Sequence, residues 1–193
     1  TNDNCGILSV TNDHPSNIYP VGTTLVTWTV FDIHNNLNQC GQIVTVTDAE
    51  LPVISCPLTA NITTDAGICT SSSSIGTATA TDNCGVATIT VNNAGPYLVG
   101  TTVVVWTVTD VNGNTSSCSF TVTVVDNQAP VITCPANQSV NATGPSGAVV
   151  TYTAPVGTDN CPGVTTARIG GLASGATFPI GITTVTYQAT DAA

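Results

Sequence analysis

The sequence predicts an all-β fold made of small two-sheet sandwiches repeated in tandem about every 78 residues. Three observations carry this expectation. Apolar and hydroxylated side chains alternate along the chain, short strand-like runs are punctuated by turn residues, and the same motifs return at a fixed interval. No segment sustains a helical period, so no substantial helix is expected.

The clearest element runs from Val99 to Val125. Val104, Trp106, Val108 and Asp110 alternate with Thr107 and Thr109, and Cys118, Phe120, Val122 and Val124 alternate with Ser119, Thr121 and Thr123. Side chains two apart share a face, so this is a hairpin with one apolar and one hydroxylated face. Its link, Asp110-Val111-Asn112-Gly113-Asn114, holds the Asn and Gly that tolerate positive φ in a tight turn. The same passage occurs at Val21 to Val46, and its first half recurs at Ile180 to Asp191. In the three copies the inward rows are Val26-Trp28-Val30, Val104-Trp106-Val108 and Val185-Tyr187-Ala189. The large aromatic at the middle step is expected to plug the space between the sheets.

Several anchors agree on the period. Asp-Asn-Cys occurs at residues 3–5, 82–84 and 159–161, at intervals of 79 and 77, and Trp28 and Trp106 lie 78 apart, as do Cys40 and Cys118. The chain therefore divides into 1–47 (the second half of a module), 48–125 (a complete module) and 126–193 (a module lacking its last strand), and it reads as a piece of something longer. The joints, at Asp48 to Pro52 and Asp126 to Pro130, are short and end in proline, which suits a rod of semi-rigidly linked modules. In the third copy strands are expected at 131–134, 138–142, 148–154, 164–169 and 183–190.

One basic side chain, Arg168, stands against eleven acidic ones, for a net charge of −10. A nucleic-acid or anionic-membrane partner needs a basic footprint, which this chain lacks. No apolar run is long enough to span a membrane as a helix. Eight cysteines without paired C-x2-C spacing point to disulfides in an oxidising, extracellular or cell-surface setting rather than to zinc.

Comparison of the copies suggests which cysteines pair. Copy one holds only Cys5 and Cys40, which suggests a Cys5–Cys40 bond; copy two would then form Cys84–Cys118 and Cys56–Cys69. The crossed arrangement, Cys56 with Cys84 and Cys69 with Cys118, stays open. Cys134 has no counterpart of Cys69 in its own copy, and Cys161 would pair beyond Ala193.

These motifs resemble the hyalin repeat (HYR) family along essentially the whole chain. The matching features are Pro-x-Ile-x-Cys-Pro, Ala-Thr-Asp-Asn-Cys-Gly, Val-Gly-Thr-Thr leading into the Trp-containing strand, and the ending that runs through Asn-Gly-Asn and Cys to Thr-Val-x-Val. The resemblance implies an immunoglobulin-like β-sandwich found in tandem in large extracellular and adhesive proteins. The Thr- and Val-rich array also looks like the surface adhesins or filaments of Bacteroidetes-type bacteria. The third copy departs from the pattern in lacking a second cysteine, and the first in its Asp32-Ile33-His34-Asn35-Asn36 turn.

The acids gather at strand ends and joints. Asp110, Asn112 and Asn114 alternate around one turn, Asp82 lies on another, and Asp48, Glu50, Asp126 and Asn127 sit at the joints. Closely spaced oxygen ligands suit Ca²⁺, while Asp-x-Asn-Gly-Asn is also an ordinary Asx-stabilised turn, so both readings stand. No other cofactor is expected. His14 and His34 lie beside turn residues and form no recognisable catalytic constellation, so no enzyme is expected. Two functions are compatible with the pattern. One is a structural stalk or filament segment whose partners are neighbouring repeats or identical subunits. The other is an adhesive module that binds a glycan or protein directly.

Overall fold

The computed structural model describes residues 4–193, so Asp3 of the first Asp-Asn-Cys lies outside the described residues. Among those residues every regular element is a strand. β1 (Ile7–Asn12), β2 (Gly22–Asp32) and β3 (Leu37–Val46) form an antiparallel three-stranded meander with Trp28 opposite Cys40. There follow β4 (Val53–Ser55), β5 (Ala60–Thr63), β6 (Thr70–Ser71), β7 (Thr79–Thr81), β8 (Val86–Val91), β9 (Tyr97–Leu98), β10 (Gly100–Asp110) and β11 (Thr115–Val125). Of these, β5, β11, β10 and β8 make a four-stranded sheet in that order, β5 joining β11 in parallel, while β4 pairs with β7 and β6 with β9. The remainder holds β12 (Val131–Ile132), β13 (Ala148–Val149), β14 (Gly157–Thr158), β15 (Thr165–Gly170), β16 (Thr177–Phe178) and β17 (Thr186–Thr190), paired as β12–β14, β13–β16 and β15–β17.

The chain clusters into two compact units. The first comprises residues 1–53, 81–88 and 108–116, and the second residues 54–80, 89–107 and 117–193. The core of the second unit is built by the alternation along β10 and β11: Val104, Phe120, Val122 and Val124 are buried, and Cys56, Ala60, Ile62, Ile75, Val91 and Trp106 pack against them. Trp106 is only half-buried. The aromatic fully enclosed in this core is Tyr97, 2% exposed, whose hydroxyl donates to the carbonyl of Asn93 at 3.1 Å. It follows Gly95-Pro96 and opens the two-residue strand β9, too short for an alternating pattern to mark it as core.

The third copy departs from expectation at Gln138–Ala142, which is not a strand. Its counterpart β5 is held by parallel pairing with β11, and no such strand lies beside 138–142 among the described residues.

The cystines also differ from expectation. Cys56 bonds Cys118 (Cα–Cα 5.8 Å) and Cys69 bonds Cys161 (Cα–Cα 4.7 Å), whereas Cys40, Cys84 and Cys134 are exposed thiols. The expected Cys84–Cys118, Cys56–Cys69 and Cys5–Cys40 bonds are therefore not formed. Cys118 shares the inward row of β11 with Phe120 and Val122, so its partner is Cys56, which packs on the same core. Cys40 occupies the repeat position of Cys118, not that of a partner for Cys5. Cys161 takes a partner 92 residues earlier, on a loop of the preceding repeat, rather than one beyond Ala193.

Candidate functional site

Three strand ends in the first unit bring carboxylates together. Asp48 lies two residues past β3, Asp82 directly follows β7, and Asp110 closes β10. One carboxylate oxygen from each lies within 4.8 Å of the others. Asp110 is 2% exposed, because it continues the inward row of Val104 and Val108. Its Oδ1 accepts the backbone N–H groups of Asn112 and Asn114 at 2.8 Å each, and its Oδ2 accepts the Asn114 amide at 2.7 Å. Burial acts to raise the Asp110 pKa, but the Asn114 side chain and the N–H groups of Asn114, Asn112 and Gly113 outweigh it and hold the carboxyl below its ordinary value.

Asp82 Oδ2 accepts the N–H groups of Cys84 at 2.9 Å and Gly85 at 3.0 Å, and Asp48 Oδ1 accepts that of Glu50 at 3.1 Å. The Asn114 amide also reaches the Asp48 carbonyl at 3.4 Å. Two oxygens remain, Asp48 Oδ2 and Asp82 Oδ1, both buried and without a hydrogen-bond partner. The chain's single Lys or Arg, Arg168, belongs to the second unit and donates to the Gly171 carbonyl. Clustered carboxylates with unused, desolvated oxygens are costly, and a hard divalent cation with oxygen ligands is the chemistry that relieves the cost. The exposed Cys84 thiol borders the cluster. Partial desolvation, then the neighbouring Asp48 carboxylate, then the charges of Asp82 and Asp110, push its pKa up.

The eight sequence candidates thus fall into two places. Asp48, Asp82 and Asp110 converge, and Asn114 ties two of them together. Glu50 and Asn112 are exposed and contribute backbone N–H groups to the cluster. Asx turn and acidic cluster are one object here, since the turn that Asp110 caps is what presents it.

Asp126 lies in the second unit and is 6% exposed, with Asn127 exposed beside it. Its Oδ1 accepts the Thr64 hydroxyl (3.1 Å), the Gln128 N–H (3.1 Å) and the Asn160 amide (3.2 Å), while Oδ2 is buried without a partner. The Gln128 N–H lowers its pKa most, burial opposes, and Asn160 and Thr64 lower it further.

Gln128 and Asn160 escaped the sequence reading. Gln128 Nε2 donates to Thr64 Oγ1 at 3.0 Å and the Asp65 carbonyl at 2.9 Å, and its Oε1 accepts the Gly67 N–H at 2.8 Å. Asn160 Nδ2 also reaches the Ile68 carbonyl at 3.3 Å. The available signal was the Asn of Asp-Asn-Cys, which recurs in every copy but reads locally as a turn former.

Both histidines make local contacts. His14 stacks on Tyr19 with ring centroids 4.3 Å apart, and the His34 N–H donates to Asp32 Oδ1 within a turn.

Comparison with known proteins points one way. A family model described as the HYR domain matches residues 47–124 and 125–193. The chain is 36% identical to Hyalin of Strongylocentrotus purpuratus over 98% of its own length, and 33% identical to Hyalin of Lytechinus variegatus over 99%. It spans only 17% and 38% of those two proteins. Among solved structures, the extracellular cadherin domains 1–4 of Protocadherin Gamma B7 overlap 98% of this chain and 65% of that one, at 13% identity and a TM-score of 0.38. So partial an overlap carries no inference about the site.

Proposed function

Because the chain belongs to the HYR domain family, we propose that it is a structural segment of a large secreted or cell-surface protein, a stiff stalk for adhesion or surface display whose joints take calcium. The observation that carries this reading is the convergence of Asp48, Asp82 and Asp110, with two buried oxygens lacking partners, where one repeat passes into the next. Two disulfides support an oxidising setting. Neighbouring repeats are the first partners in this reading. The Thr- and Val-rich composition supports placing the segment among Bacteroidetes-type surface filaments, which the genes flanking its coding sequence would test.

Melting curves of the oxidised chain in about 2 mM calcium and in excess chelator test the core of the proposal. Extracellular modules bind calcium with Kd of about 0.1–1 mM, so calcium adds about 0.6–1.8 kcal/mol and a few degrees of melting temperature. Asp82→Asn removes that shift. Superimposable curves with no heat of binding would sink the calcium assignment.

Direct ligand binding is a second reading with one observation in its favour. An open groove of about 750 Å³ in the second unit is lined by Tyr152, Phe178 and Tyr187, whose rings suit the apolar face of a sugar. A glycan array probed with the chain and with Tyr187→Ala tests it, and equal signals from both proteins count against the groove.

A further inference from the structure

The Cys69–Cys161 bond joins two consecutive repeats, and the residues around it behave as a socket and a plug. The plug is the loop from Thr64 to Cys69. The socket is the Asp-Asn-Cys turn of the following repeat together with the joint residue Gln128. Asp159 Oδ2 accepts the Cys161 N–H at 3.0 Å and so shapes the turn. Asn160 then reaches the Ile68 carbonyl, Gln128 takes the Gly67 N–H and donates to Asp65 and Thr64, and the cystine closes the contact.

The turn at residues 82–84 is shaped in the same way and lies uncovered. Asp82 Oδ2 accepts the Cys84 N–H at 2.9 Å, as Asp159 does for Cys161. Asn83 and Glu50, which occupy the repeat positions of Asn160 and Gln128, are exposed, and Cys84 is an exposed thiol. Asp48 Oδ2 and Asp82 Oδ1, beside it, are buried without partners. We propose that the Asp-Asn-Cys turn at residues 82–84 is a docking site for the Gly-x-Cys loop of a neighbouring repeat, closed by a disulfide to Cys84. Successive repeats of such an array are then joined by cystines as well as by the main chain.

The occupant follows from the filled example: a loop whose Gly N–H faces residue 50, whose carbonyl takes the Asn83 amide, and whose cysteine meets Cys84. One substitution tunes the fit. Glu50 can accept the Gly N–H, but it lacks the amide with which Gln128 donates to Asp65 and Thr64. The bond forms by thiol–disulfide exchange. The Cys84 thiolate attacks the loop sulfur of a mixed disulfide, the new S–S bond forms as the old one breaks, and the small thiol leaves with the proton Cys84 gave up.

The test uses the intact oxidised chain and a synthetic peptide of its own residues 62–74, supplied as the glutathione mixed disulfide, with a scrambled peptide as control. Adducts at Cys84, Cys40 and Cys134 are timed by peptide mapping. The expected result is capture at Cys84 about tenfold faster for the native loop than for the scrambled one, the factor that one to two net hydrogen bonds supply. Cys40 and Cys134 should show no preference, and Glu50→Gln should widen the preference at Cys84. A native-to-scrambled ratio near one at Cys84 would overturn the docking site. The proposal draws on the extracellular reading only for an oxidising setting, and its failure would leave the calcium melting result untouched.

Discussion

The Asn160 amide donates to Asp126 Oδ1 at 3.2 Å, while Asn160 Oδ1 and Asp126 Oδ2 both lie buried without a hydrogen-bond partner. One contact thus ties an Asp-Asn-Cys turn to the joint preceding its repeat and leaves two oxygens facing no donor. The first joint leaves two oxygens in the same condition, on Asp48 and Asp82.

Gln128 should be the most sensitive uncharged residue of the second joint. Gln128→Ala removes three hydrogen bonds to Thr64, Asp65 and Gly67, and an expected loss of about 1–3 kcal/mol follows from the groups left unpaired. Denaturant melts report the loss, and hydrogen exchange should show the Gly67 amide exposed. Unchanged protection at Gly67 would contradict the role.

Tyr97 separates packing from hydrogen bonding. Tyr97→Phe keeps the ring and gives up the bond to Asn93, costing about 1 kcal/mol. Tyr97→Ala empties the centre of the core and costs about 3–5 kcal/mol. If both variants melt alike, Tyr97 is not the core's anchor.

Acid should destabilise the chain. Asp32, Asp65, Asp110 and Asp126 all have folded pKa values below the ordinary 3.8, so the unfolded chain binds more protons in that range. Their contribution is present above the unfolded value and is lost as the pH falls through the folded ones. Asp110 faces Asp48, Asp82 and the Cys84 thiol, so the measurement belongs in calcium-free buffer. Melting temperature should drop as the pH goes below about 4, and Asp110→Asn should flatten that drop while lowering stability at neutral pH. An unchanged slope in the variant would remove Asp110 from the account.

Two glycines should respond differently to alanine. A Cβ on Gly147, at φ +108°, would stand 1.8 Å from the Phe178 carbonyl oxygen, across the β13–β16 pairing. At Gly113, φ is +95° and nothing lies within 4 Å, so only backbone strain of about 1–2 kcal/mol applies. Calorimetry should show Gly147→Ala costing several times as much as Gly113→Ala; equal costs would mean the β16 strand yields freely.

The turns were legible because they are local. Asp32 holds its turn with the N–H groups of His34 and Asn36 and the Asn36 amide, the same three bonds that Asp110 makes. Asn35, at φ 65°, does the work of Gly113, so the departure in the first copy leaves the geometry intact. Tyr97 and Gln128 were not legible, since an aromatic in a two-residue strand and a joint amide carry no periodic signal. What places them is a distant partner.

The sequence by itself determined the all-β character, the repeat interval, the long hairpin and its inward row, because alternation and turn chemistry act within a few residues. Only the tertiary structure decided which cysteines bond and which acids meet. Cys69 finds Cys161 across 92 residues, and Asp48, Asp82 and Asp110 converge from three separate strand ends. Such meetings depend on how strands are ordered in sheets and on which loops a joint brings together, and neither is encoded in the spacing of residues along one segment.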